Sequence, residues 1–112
     1  MEEGIPRKPL KVSDEFWISF ADIYDYGLET FGYFQAELYD QKIEKALKTL
    51  PNWYLAYPEC RYMRTKSQMY RNIILDSHLI IFRVTKERIE VLDIVHSASS
   101  IGKIRDTRKI RI

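Results

Sequence analysis

Apolar positions recur at two different periods along the chain, and the change of period divides it. Phe16, Phe20, Ile23, Tyr24 and Phe31 fall at helical spacing, and Trp17 and Leu28 widen the stripe. Ser13 stands where an N-cap belongs, and Asp14 and Glu15 follow in the first turn, where the helix dipole favours acids. The pattern predicts a helix over 14–30, with a weak point at Gly27 and an interruption at Gly32. A second stripe follows in Ala36, Tyr39, Ile43, Ala46, Leu47 and Leu50, with Glu37, Asp40, Lys42, Glu44, Lys45 and Lys48 on the opposite side. It predicts an amphipathic helix over 33–50 that Pro51 stops. Two helices joined by a short glycine turn should form an antiparallel hairpin.

From Pro51 to Gln68 the pattern is irregular, and the period then falls to two. Residues 70–75, 78–84 and 89–96 are rich in Ile, Val, Leu and Tyr and read as strands. Asp76-Ser77 and Thr85–Arg88 are breaks short enough for hairpins. Leu10-Lys11-Val12 reads as a short additional strand, and Pro6 and Pro9 make residues 1–9 an extended arm. The expectation is a single α+β domain over 1–112: an N-terminal helical hairpin on a small antiparallel meander, followed by loop over 97–102 and a basic tail over 103–112.

A two-residue turn at Asp76-Ser77 and a four-residue loop at 85–88 fix a register. One face then carries Ile73, Leu75, Ile80, Phe82, Val84, Ile89, Val91 and Val95 and should receive the helices. The other carries Tyr70, Asn72, Ile74, Leu79, Ile81, Arg83, Glu90, Leu92, Ile94 and His96. In this register Arg83 and Glu90 are cross-strand neighbours, an arrangement that suits a structural ion pair. His78 and His96 lie on opposite faces, which argues against a shared metal site.

Composition changes this picture mainly through charge. The net charge is only +2, but residues 13–50 hold eight acids against three lysines. Arg61, Arg64, Lys66 and Arg71 stand without an acid between them, and residues 103–112 hold five bases against Asp106. An acidic front half and two basic patches point either to a polyanion or acidic partner at the patches, or to solvated faces alone. The single cysteine, Cys60, permits no internal disulfide and fits a reducing cytoplasm. No apolar leader stands in residues 1–10, and no apolar run approaches the length of a membrane span. The sequence contains no phosphate-binding glycine loop, no zinc-type histidine pair and no CxxC. No cofactor is expected.

The side chains that could carry chemistry are few. Arg64, Lys66 and Arg71 could stabilise charge on a phosphate, and His96 could shuttle a proton in RNA cleavage. These four are the catalytic candidates. Tyr70, Asn72, Leu79, Ile81 and Arg83 on the mixed face, with Lys103, Arg105 and Arg108 in the tail, are the candidates for binding. A protein partner would bury Leu79, Ile81, Leu92 or the flank of the hairpin with an amphipathic helix or an added strand.

The order of elements and several segments resemble the RelE/ParE toxin superfamily over roughly residues 10–100. The segments are Ile23-Tyr24-Asp25-Tyr26, Ile43-Glu44-Lys45-Ala46-Leu47, Tyr70-Arg71, the run from Ser77 to Val84, and the run from Ile89 to His96. The resemblance implies a toxin of a type II toxin–antitoxin or plasmid-stabilisation pair, neutralised by a cognate antitoxin. RelE-like members cut mRNA on the ribosome, and ParE-like members poison DNA gyrase. Arg71 matches one basic position of the RelE-like nuclease pattern. Leu79 stands where those enzymes place a base, and Ser97-Ala98-Ser99-Ser100 stand where they place catalytic groups. The chain is therefore closer to ParE-like members, with gyrase as the favoured target. The alternatives are a ribosome-dependent endonuclease or an inactive relative that only binds a partner.

Overall fold

β1 (Leu10–Val12) leads directly into α1 (Asp14–Phe31), and the hinge between them is Ser13. The computed structural model describes residues 5–112. The backbone N–H of Ser13 donates to the Val91 carbonyl at 3.0 Å, while its hydroxyl accepts from the Phe16 N–H at 2.9 Å. The same hydroxyl donates to the Leu92 carbonyl at 2.5 Å. One small side chain thus caps the helix and fixes its entry on the sheet. α1 ends at Gly32, which has φ +90°, a left-handed conformation that glycine adopts without steric cost.

α2 (Tyr33–Trp53) runs antiparallel to α1, as the stripes predict. A Cβ at Gly27 would meet Ala36 at 3.5 Å, so the two helices approach closely there. Pro51 does not stop α2, which continues to Trp53 and closes as a 3-10 turn over Tyr54–Ala56. Proline in a last turn forfeits one hydrogen bond without breaking what precedes it. Its carbonyl accepts the Lys8 N–H at 3.0 Å. The described part of the N-terminal arm is therefore pinned, with the Lys8 ammonium also on the Thr85 and Lys86 carbonyls. Residues 1–4 of the expected extended arm lie outside the described residues.

β2 (Tyr70–Ile74), β3 (His78–Val84) and β4 (Ile89–His96) form the expected antiparallel meander. β1 joins it beside β4, but in parallel, so the sheet is mixed and its order is β1-β4-β3-β2. A parallel pairing needs a long crossover, and the path through the hairpin and meander supplies it. The Pro58–Cys60 segment covers the free side of β2 through Asn72 N–H to Pro58 and Cys60 N–H to Tyr70.

The register agrees with expectation until a bulge in β4. Phe82 pairs with Val91 and Ile81 with Asp93, so β4 has one residue more than β3. Beyond it the faces exchange. Ile94, not Val95, joins the hairpin-side core with Phe16, Ile43, Leu50, Ile80 and Phe82. Val95 joins the opposite core with Cys60, Met63, Ile81, Leu92 and Ile104. His96 now pairs with His78 on the same face, which corrects the expected separation.

The tail is a folded element. α3 (Ile101–Asp106) starts one residue after Ser100, whose hydroxyl caps it by accepting the Lys103 N–H at 3.1 Å. A 3-10 turn follows over Thr107–Lys109. Ile104 and Thr107 are buried against the second face of the sheet, which the hairpin leaves uncovered. The loop expected over 97–102 is thus shorter, and the basic tail has an apolar side that it spends inside the molecule.

Candidate functional site

Two surfaces hold the candidate groups, and the sheet lies between them. On the tail side, Arg83 is the organising residue. Its Nε donates to Glu90 Oε1 at 2.7 Å, and its terminal nitrogens donate to the carbonyls of Arg108 at 3.2 Å and Ile110 at 3.1 Å. Arg88 grips the other oxygen of Glu90 at 2.8 Å and reaches the Ile112 carbonyl at 3.3 Å. The expected Arg83–Glu90 ion pair therefore exists, and it also latches the tail. Burial alone would raise the Glu90 pKa. The hydrogen bonds from both arginines outweigh it and hold the carboxyl below its ordinary value.

The latch occupies much of the face on which the sequence places binding residues. Ile81 is fully buried and Asn72 nearly so, while Tyr70, Leu79 and Arg83 are half-buried. The chain's own Ile104 and Ile110 lie against this group. Ile81 and Leu92 thus meet the tail rather than a partner. Lys103, Arg105 and Arg108 are exposed on the outside of the tail.

The four catalytic candidates do not converge. Arg64 and Lys66 are exposed in the loop before β2. Arg71 is half-buried and donates to the Tyr57 carbonyl at 2.8 Å, with its Nε buried and unpaired. Arg71 pairs with Phe82, whereas His96 pairs with His78. About four residues of β3, or about 13 Å, separate those positions along the strand. Cys60 is fully buried, and burial raises its thiol pKa, which disfavours the reactive thiolate. Among the described residues no group of three acids, histidines or cysteines could hold a metal ion.

On the hairpin side, His96, turned to this face by the bulge, lines a cleft of about 640 Å³. Phe20, Ile23, Ala36 and Ile43 line its interior; Phe31, Tyr39, Asp22, Asp40, Asp76, His78 and His96 are also in its wall. Tyr39 and His78 Nδ1 are hydrogen-bonded at 2.7 Å, and the two imidazoles stand edge to face at 5.3 Å. Burial, and secondarily the neighbouring His96, hold the His78 pKa below its ordinary value. Asp40 is raised by burial first and then by Glu44 and Glu37. Tyr24, also in the wall, donates to Glu37, and that hydrogen bond is the main cause pushing the phenol up to about 12. The aromatic residues around the Gly32 turn, Tyr26, Phe31, Tyr33 and Phe34, are all more than half exposed. An apolar cleft with an acidic wall and an aromatic lip can seat an apolar segment and select against acids beside it. The named candidates of the sequence omit Tyr39, His78 and Phe31. The signal present was the density of aromatics on both sides of Gly32.

This architecture has known counterparts. A family model described as the ParE toxin of the type II toxin–antitoxin system, parDE, matches residues 10–101. A solved structure of the chromosomal ParDE toxin–antitoxin system from P. aeruginosa shares the fold, with a TM-score of 0.67 and 21% identity over 82% of this chain and 98% of that one. A search of curated proteins returns no match. The chain belongs to the ParE toxin family of type II toxin–antitoxin systems. No helix among the described residues is long and apolar enough to cross a membrane.

Proposed function

We propose that this toxin acts by binding DNA gyrase, in the cytoplasm, and that a cognate antitoxin restrains it through the hairpin cleft. The observation that carries a binding mechanism is the separation of Arg71 from His96 at different ends of the sheet. General acid–base cleavage needs its groups within hydrogen-bond reach of one scissile site, and these two side chains stand on well-separated strand positions. The P. aeruginosa neighbour is part of a ParDE pair, which supports a partner for this chain as well.

The antitoxin segment that suits the cleft is an amphipathic helix with apolar anchors and flanking lysines or arginines. Its apolar face would cover Phe31 and Tyr39, and its cations would meet Asp22, Asp40 and Asp76. Purified toxin should abolish supercoiling by gyrase, and added antitoxin should restore it. Full gyrase activity at saturating toxin, with toxin-dependent cuts in translated mRNA by primer extension, would replace this reading with the ribosomal endonuclease. Phe31→Asp should weaken antitoxin binding about tenfold or more, as loss of a buried aromatic anchor does. The tail side of the molecule is untouched in that variant.

A further inference from the structure

The two basic segments that lie some forty residues apart in sequence become one surface in the fold. Arg105 Nε donates to the Tyr62 carbonyl at 3.0 Å, and the Thr107 hydroxyl lies on the Met63 sulfur at 3.8 Å. Met63 and Ile104 share a core, so the loop and α3 are fixed to each other from beneath. Arg61, Arg64 and Lys66 flank Met63 in the loop, Arg105 and Arg108 flank Ile104 and Thr107 in the tail, and all five are exposed. None has a carboxylate within ion-pair distance among the described residues, where the ion pairs use Lys42, Arg83, Arg88 and Lys109 instead. The nearby acids have other partners: Glu59 accepts the Thr65 N–H at 2.9 Å and Asp106 pairs with Lys109.

We propose that this surface binds the phosphate backbone of nucleic acid. Unpaired like charges held on a fixed scaffold repel one another, and a polyanion relieves that repulsion while releasing counterions. Four of the five cations are arginines, whose planar fork matches a phosphate. Arg61 already lies over the Tyr62 ring, 5.1 Å from its centroid, so its orientation is partly fixed before binding. A protein partner would need apolar anchors at the centre of its footprint. The exposed large apolar side chains stand elsewhere: none falls between Leu55 and Ile74, and the tail helix offers only Ile101. The inference is independent of the antitoxin reading, because it concerns the face away from the hairpin cleft.

Fluorescence anisotropy of a short labelled DNA duplex, titrated with the full chain across a range of salt, tests it. Binding should weaken with salt, and four phosphate contacts would give a slope of log K against log salt of about −3.6. Arg64→Glu combined with Lys66→Glu should lower affinity about tenfold or more and flatten that slope, because two cations become acids. An unchanged circular-dichroism melt verifies that the variant is folded. Lys45→Glu with Lys48→Glu on α2 should leave binding nearly unchanged. Comparable affinity for duplex RNA assigns recognition to the shared backbone, and a preference for DNA narrows it; both support the proposal. Absence of binding at low salt, or equal loss in the two variants, overturns it. Tighter binding of a polyglutamate peptide at matched salt also overturns it, in favour of an acidic protein partner. Gyrase inhibition by the native chain is read separately, so either idea can fail alone.

Discussion

Glu90 is a buried acid gripped by two arginines, and that grip sets a pH dependence of known sign. Its folded pKa lies below 4.5, so its contribution is complete above the unfolded value and is lost as pH falls through the folded one. The acid limb of thermal stability should therefore be steeper in the native chain than in Glu90→Gln. Glu90→Ala should cost about 3 kcal/mol at neutral pH, because it strands two cations on a mostly buried site. His78 behaves oppositely to a histidine that gains an acid. Its folded pKa lies below 6.5, so the unfolded chain binds the proton more readily. Stability should fall as pH drops from 6.5 towards the folded value, and His78→Gln should remove that slope from a series of melts. The sequence makes the Arg83–Glu90 pair readable, since it follows from hairpin loop lengths alone. It does not reveal the His78–His96 pair, because one extra residue in β4 reverses the parity of everything beyond it.

Elements are joined here by small polar side chains at their ends. Ser13→Ala would leave the Phe16 N–H and the Leu92 carbonyl without partners at a buried position. The loss should be about 2 kcal/mol by chemical denaturation, the upper end for a helix cap, since the same hydroxyl also serves the bulge. Both helices of the hairpin were legible from spacing, and so were the three meander strands. Pro51 misled because proline weakens a terminal turn without obliging the helix to end. Leu10–Val12 was legible as a strand but not as a parallel one. Three residues carry no information about direction, which the hairpin decides by placing β1 beside β4. Asp93 stands between the buried apolar neighbours Leu92 and Ile94. It is explained by the bulge, where its carboxylate accepts from the Ser19 hydroxyl at 2.7 Å and the Ile94 N–H at 2.8 Å.

At the scale of the molecule, the sheet is covered on one side by the hairpin and on the other by the tail. The tail is therefore part of the core. Truncation after Ser100 should expose Ile81, Leu92 and Cys60, which are fully buried in the intact chain. A thiol reagent should react slowly with the native protein and rapidly with the truncated one, and a slow reaction in both would show that the tail is not what protects Cys60. The gentler variant Ile104→Ala should cost about 3 kcal/mol, within the range for deleting a buried branched side chain.

Local pattern determined the two helices, the meander and the charge asymmetry. These follow from short-range periodicity and composition, which the chain carries at every position. Tertiary structure decided what the tail does, which face each residue beyond Leu92 occupies, and that Arg71 and His96 stand apart. It also decided that two distant basic segments form one surface. Each of these depends on a bulge, a crossover or a packed contact between residues remote in sequence, and no local pattern encodes where those fall.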